Sequence, residues 1–341
     1  MENPKAASPR NLPDADGAEY TRLAGRPVPA HHGEPAAEYV ALEEGAAVVD
    51  LSHRTILRLA GKKAVGMLNA VLTNEVPEED NLGVYALLLN PKGRTQTDLR
   101  VLKSDGDVLI DTEPEGTAKE LLGRYAPFYR VEIEDLSETD APWGIFGLYG
   151  SRAKELLDDL ELAEHETAQK TVGGAAVLAA GITVPVPGYD LLGPVDALRA
   201  VRDYLTGRGA VLAGLHAYET ARVMAGIPRF GSDITPENFP AEAGILERAV
   251  SFEKGCYPGQ ETVARMHYRG HPNRVLRRFV IEGTPPSPDT AILQNGKQVG
   301  KVTSLAPLPV NGETFALGYL SRNADTQDAL RAGDATLRPL V

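Results

Sequence analysis

The residues best suited to chemistry lie between Ser251 and Arg278, in SFEKGCYPGQETVARMHYRGHPNRVLRR, which holds the only cysteine of the chain, Cys256. Lys254 stands two residues before it. Positions two apart in extended backbone share a side, so the Lys254 ammonium is expected beside the sulfur. There it would favour the thiolate, the form that attacks electrophiles and binds metals. Gly255 keeps side-chain bulk away, and Tyr257-Pro258-Gly259-Gln260 has Pro and Gly at the central positions of a type II turn. Such a turn would hold the cysteine at a fixed, exposed place. A lone cysteine is most often a small buried hydrophobe, but a polar turn is a poor setting for a core residue. A single cysteine also excludes an intramolecular disulfide, and a complete cysteine-based zinc or iron–sulfur site, from this chain alone.

From Thr262 to Ile281 there are five arginines (Arg265, Arg269, Arg274, Arg277 and Arg278), two histidines and no acid, in a chain of net charge −12. This local positive segment suits an anion such as a phosphate, a polycarboxylate tail or an RNA backbone. The alternative is a solvated strand whose arginines pair with acids elsewhere. His267 and His271 have the spacing of metal ligands on a helix, but Gly270 and Pro272 argue against a helix there. No Gly-x-Gly-x-x-Gly loop and no P-loop is present.

The elements that must position these residues can be read from periodicity. The length, 341 residues, suggests two or three domains. Residues 1–34, rich in Pro, Ala, Gly and charge, read as a mobile N-terminal arm. A first α+β domain is expected over 35–142. It includes the strand TILRLA, a helix in KKAVGMLNAVL, a turn at Asn90-Pro91-Lys92-Gly93 and a hairpin at Asp105-Gly106. A second α+β domain is expected over 143–250, with helices in VDALRAVRDYL and HAYETARVMAG. LAGKKAVGMLNAVL and LYGSRAKELLDDL echo each other as strand, glycine, helix, which relates the two domains. Residues 251–273 connect to a β domain over 274–341, where Asn295-Gly296 marks a hairpin. No run of about 18 apolar residues suggests a membrane span. The first residues lack signal-peptide order, so a cytoplasmic protein is expected.

KGCYPGQE at Lys254–Glu261 resembles the signature of the YgfZ proteins, folate-binding relatives of the glycine-cleavage T-protein (aminomethyltransferase). DLSHRTILRLAGKKAVGMLNAVLTNEV, LNPKGRTQTDLRVL and ARVMAGIPRFGSDIT are also similar to segments of that family, so that only the first 34 or so residues fall outside. The resemblance implies an α+β fold of three domains in a ring, the last a small β-barrel, with tetrahydrofolate at the centre. It implies support for iron–sulfur proteins or their assembly factors, including enzymes that modify tRNA. It gives Cys256 and Lys254 the chemical role. It places Asp98, Arg222, Tyr257, Gln260, Glu261 and Arg265 around the folate, with RNA contact open to the Arg265–Arg278 segment.

Two positions depart from the T-protein pattern. Thr97 precedes Asp98 where T-proteins have a second aspartate, and Val186 stands where they carry a glutamate for the pterin. These losses count against aminomethyl transfer. Three readings remain: a folate-dependent iron–sulfur maintenance factor, a one-carbon transferase, and an RNA- or protein-binding module without folate.

Overall fold

The computed structural model describes residues 17–114, 116–326 and 328–340. Alternating apolar residues build an antiparallel five-stranded sheet in the order Val84–Leu89, Thr95–Ser104, Asp107–Thr112, Thr55–Ala60, Glu132–Asp135. Asp105 and Gly106 both take positive φ, 51° and 82°, the type I′ hairpin that Asp-Gly favours. The helix Ala64–Val71 covers one face through Met67, Leu68 and Val71, which pack with Leu57, Leu99 and Val101.

A second sheet has six strands, in the order Thr167–Val172, Ala175–Ile182, Gly188–Pro194, Trp143–Tyr149, Ala47–Asp50, Val211–Ala213. The expected helices are Val195–Gly207, which buries Leu198, Val201 and Leu205 in its core, and Leu215–Ala225. The echo between the two units is structural. In each, a strand ends at a glycine of positive φ, Gly61 at 139° and Gly150 at 110°, ahead of a helix. A Cβ at either would meet a backbone oxygen, at 2.7 Å from Arg130 O and 2.5 Å from Gly45 O respectively.

Two boundaries differ from the sequence reading. The strand Ala47–Asp50 pairs with Trp143–Tyr149 and Val211–Ala213, so residues 35–50 belong to the second sheet and not to the first domain. Periodicity identifies a strand but not its distant partner. Within the supposed arm, Glu19–Leu23 and Arg26–His31 form a hairpin. Its Leu23 and Val28 pack on Leu215, so folded structure begins well before residue 35, while residues 1–16 lie outside the described residues. His31 and His32 are correspondingly half-buried, with His31 5.7 Å from the ring of His216.

The β domain is a closed six-stranded barrel, in the order Arg274–Glu282, Thr314–Ser321, Lys297–Leu305, Ala291–Gln294, Leu330–Ala332, Ala335–Leu340. Closure leaves no free sheet edge. The connecting segment contains a helix, Gln260–Arg269, where Gly270 and Pro272 had argued against one. Gly270 ends it in extended backbone, so His267 and His271 do not share a helical face. Among the described residues no helix is long and apolar enough to cross a membrane.

The turn at Tyr257–Gln260 is of the expected type. Gly259 lies at φ 83°, ψ 0°, and Gln260 N donates to Tyr257 O at 3.3 Å. A Cβ on Gly259 would fall 2.6 Å from Asn90 O and 2.8 Å from Gly93 Cα. The motif turn therefore seats directly on the Asn90–Gly93 turn of the first sheet. Gly259→Ala is expected to lower unfolding stability by about 2 kcal/mol, from backbone strain and overlap together. Urea denaturation measures this, and an unchanged midpoint would mean the two turns do not touch.

Candidate functional site

Around the centre, the two sheets and the chain after helix Leu215–Ala225 wall a cleft with about 820 Å³ of empty space, mouth included. The first sheet supplies Tyr85, Asp98, Arg100 and Glu113, and the second Tyr149, Ile182 and Asp190. Tyr218 and Arg222 come from the helix, and Pro228 and Arg229 from the segment beyond it. Arg54, Glu164, His165 and Arg248 complete the polar lining.

Asp98, expected at the folate, lies in this wall and is buried. Its Oδ2 accepts from the Tyr85 hydroxyl at 2.8 Å, and its Oδ1 has no hydrogen-bond partner. Burial, together with the nearby Glu113, pushes its carboxyl up to about 6, against the pull of Arg54 and Tyr85. Thr97, in place of the second T-protein aspartate, is a buried spacer: its hydroxyl lies 3.3 Å from that of Thr112. Val186 is buried in the apolar core, so no carboxylate stands at that position.

Arg222 also lines the cleft, but it has no donor left for a ligand. Nε and Nη2 donate to Glu219 at 3.0 and 2.8 Å, and Nη2 also to Ser304 Oγ at 3.0 Å. Nη1 donates to Ile227 O and Asp233 Oδ2, both at 2.7 Å. All five N–H groups are used. The residue expected to hold folate instead joins the helix, the segment that follows it and the barrel. Although burial opposes ionisation, Arg222 and Arg229 hold Glu219 down at about 2.

The motif sits elsewhere. None of Lys254, Cys256, Tyr257, Gln260, Glu261 and Arg265 lines the cleft. Asp98 is five residues from the Gly93 turn on which the motif rests, about 15 Å at strand spacing. Cys256 is exposed, as expected. Lys254 is not free to ionise it, because the ammonium donates to Asn69 O at 2.9 Å, Leu72 O at 2.6 Å and Asn74 O at 3.1 Å. An ammonium has three protons, and three carbonyls at the end of helix Ala64–Val71 take them. Burial lowers Lys254 to about 8. Alternation put Lys254 beside the sulfur, but the segment is a series of bends and not a strand.

Tyr257 is buried in an apolar cluster with Leu87, Leu89 and Phe230, outside the cleft lining, and its hydroxyl has no hydrogen-bond partner. Gln260 opens helix Gln260–Arg269, and Glu261 and Arg265 face solvent from it. Of the arginine segment, Arg274 pairs with Glu242 at 3.2 Å and Arg278 donates to Met224 O, while Arg265, Arg269 and Arg277 are exposed. Among the described residues no cluster of three metal-ligating side chains exists.

Sequence reasoning missed Tyr85, Glu113, Glu164, His165, Asp190 and Arg229. Tyr85 and Asp190 are polar positions within largely apolar strands, whereas Glu113, Glu164, His165 and Arg229 lie in turns and connecting segments that carry no local signal. Burial lowers His165 to about 4, which keeps its imidazole neutral at physiological pH.

Two predictions follow from this geometry. The folded-state carboxyl of Asp98 lies above its ordinary 3.8, so its stabilising contribution is complete below that value and lost as pH rises through about 6. Asp98→Asn should therefore match the wild type near pH 4 and exceed it by about 2–3 kcal/mol at pH 8, read by denaturation at each pH. A constant difference across pH would refute the shift. Lys254→Met should leave three carbonyls unpartnered and cost about 1–3 kcal/mol. Thiol labelling of Cys256 should stay within twofold of wild type, and a tenfold slowing would restore the ammonium to the sulfur.

A family model described as the GCVT N-terminal domain matches residues 13–254. The chain is 27% identical over 322 residues to an aminomethyltransferase of Moorella thermoacetica, covering 90% of this chain and 87% of that one. It is 28% identical over 343 residues to an aminomethyltransferase of Thermus thermophilus, covering 95% of each. In structure it resembles the glycine cleavage system aminomethyltransferase T from Bartonella henselae, with TM-score 0.82 at 20% identity over 95% of this chain and 93% of that one. That likeness establishes the T-protein type of fold: two α+β units and a C-terminal barrel. With the match running through both sheets and ending at the motif lysine, the chain belongs to the GCVT N-terminal domain family.

Proposed function

We propose that this protein binds a tetrahydrofolate in the central cleft and supports iron–sulfur proteins, tRNA-modifying enzymes among them, through Cys256 on its outer face. One observation carries the folate reading. A buried carboxylate, Asp98, has one oxygen with no partner in a cleft walled by Tyr85, Tyr149 and Tyr218. A pterin ring presents amino and N–H donors on a flat heterocycle, and a carboxylate is the strong acceptor for them. The tyrosines offer flat faces, Tyr149 and Tyr218 stacking on each other with ring centres 5.7 Å apart. Relatives named as aminomethyltransferases support the same class of ligand.

These residues fit the group. Asp98 would hold the pterin edge, the tyrosines its faces, and Glu164 and His165 the opposite rim. The bound folate supplies a carrier for one-carbon units. The chain orients it, excludes water through Ile182, Val184 and Pro185, and keeps a proton available at Asp98 near neutral pH. Cys256 is exposed and does not line the cleft. A partner protein can therefore reach the sulfur without entering the folate site.

The YgfZ-like motif distinguishes this reading from aminomethyl transfer. Transfer is favoured by one feature, the Asp98 carboxyl held near 6, which suits a group exchanging protons at neutral pH. The exposed Arg265, Arg269 and Arg277 are what an RNA contact would use.

Calorimetric titration with tetrahydrofolate should show binding that Asp98→Asn weakens about tenfold, roughly the 1.4 kcal/mol of one charge-assisted bond. No binding by the wild type would end the folate reading. In cells, Cys256→Ala should lower the activity of iron–sulfur enzymes, and unchanged activity would remove the cysteine from the mechanism. Turnover of an aminomethyl donor with tetrahydrofolate would favour the transferase reading instead.

A further inference from the structure

Five arginines line the cleft, and four of them are bonded to acids. Arg54 reaches Asp111 and Glu113, Arg100 reaches Asp111 and Asp190, Arg222 reaches Glu219 and Asp233, and Arg248 reaches Glu164 at 2.8 Å. Arg229 is the exception. Its guanidinium makes no hydrogen bond to any described residue, and its Nε and Nη1 are shut away from solvent without a partner. The nearest acid oxygen, Glu219 Oε2, stands 3.8 Å from Nη2, beyond hydrogen-bond reach. Both oxygens of that carboxylate already accept from Arg222.

The root of the side chain is fixed. Arg229 N donates to Asp233 Oδ2 at 3.1 Å, and its carbonyl accepts from Asp233 N at 2.9 Å and Ile234 N at 3.0 Å. The side chain is only 17% exposed. A mostly buried guanidinium without hydrogen bonds is costly to hold, and folding alone has no need of it. Apart from Asp98, the acids around the cleft are committed to the other four arginines, so the Arg229 guanidinium is left without a hydrogen-bonded acid of its own.

We propose that Arg229 is the anion receptor of the cleft and that it takes a carboxylate carried by a ligand. A planar guanidinium fork matches the two oxygens of a carboxylate, and such pairs are strong where water is excluded. The carboxylate has two possible sources: the glutamyl tail of the folate, or a separate small amino acid bound beside it. The assignment of the cleft as a ligand site rests on the function proposed above.

The probes are tetrahydrofolate, 6-methyltetrahydropterin (which has no carboxylate) and glycine. Arg229→Gln leaves the Arg222–Glu219 pair in place and should fold, with thermal unfolding as the check; Arg229→Lys keeps the charge without the fork. If the tail is the source, Arg229→Gln weakens tetrahydrofolate at least tenfold and leaves 6-methyltetrahydropterin unchanged, with Arg229→Lys intermediate. If a separate acid is the source, Arg229→Gln leaves both pterins unchanged and abolishes glycine binding. Equal binding of all three probes by wild type and Arg229→Gln overturns the inference, as does equal weakening of all three, which would mark a purely structural residue. A wild type that binds glycine through Arg229 but neither pterin would end the folate reading and leave the receptor standing.

Discussion

The guanidinium of Arg222 holds three parts of the molecule at one point. It bonds to Glu219 on its own helix, to Ile227 and Asp233 in the following segment, and to Ser304 in the barrel. Asp233 extends the junction, accepting from Thr303 and Ser304 while its backbone carbonyl accepts from the Tyr319 hydroxyl at 2.9 Å. Burying so many ionised groups is tolerable only because every donor of the central arginine is satisfied. The wall of the cleft on this side hangs from that junction. Removing one partner would strand charge in the interior, which makes the junction a condition of the cleft's shape and not a participant in its chemistry.

The same logic sorts the other ionised groups of the cleft. Arg54 and Arg100 are tied into one ion-paired set with Asp111, Glu113 and Asp190: burial alone would raise Asp111, but the two arginines hold it below the ordinary carboxylate range. That set is spent on structure. Asp98 and Arg229 keep polar atoms without protein partners, as does one oxygen of Glu113. Protein interiors rarely leave such groups unpaired, and where they do the exception marks strain or a ligand. An acceptor and a donor set of this kind in one cleft give it the means to orient a ligand that has both an N–H edge and an anion.

Local signals in the sequence carried much of this. The type I′ hairpins at Asp105-Gly106 and Asn295-Gly296 and the Pro258-Gly259 bend depend on neighbouring residues alone, and they stand where turn chemistry put them. Asp98 was legible only through the resemblance of LNPKGRTQTDLRVL to the family's loop, because its strand also carries Gln96, Arg100 and Lys103 and so marks no single polar residue. Long-range pairing was not legible. Nothing in PAAEYVALEEGAAVVD reveals that its strand joins a sheet completed by residue 213. Arg222 and Lys254 show the same limit at the scale of a side chain. The resemblance gave Arg222 to the ligand and the spacing gave Lys254 to the thiol, but which acceptors surround a cation depends on how the chain folds around it, for Arg222 Glu219, Ile227 and Asp233 nearby and Ser304 from the barrel. For Lys254 these are the carbonyls of residues 69, 72 and 74.

The Lys254 cage also explains how the motif can be distant from the cleft and still be fixed relative to it. The ammonium ties the loop to the end of helix Ala64–Val71, and Gly259 seats on the Asn90–Gly93 turn. That turn closes the hairpin whose strands carry Tyr85 and Asp98 into the cleft. A β-hairpin packed on both faces transmits position along its length, since sliding by one residue would invert every side chain. Leu87 and Leu89 from that hairpin pack against Tyr257, which locks the register from the motif side. Cys256 and Asp98 thus sit at two ends of one stiff element, with separate access to solvent. The hairpin therefore fixes the position of the motif turn relative to Asp98, while the cleft and the sulfur keep their separate surroundings.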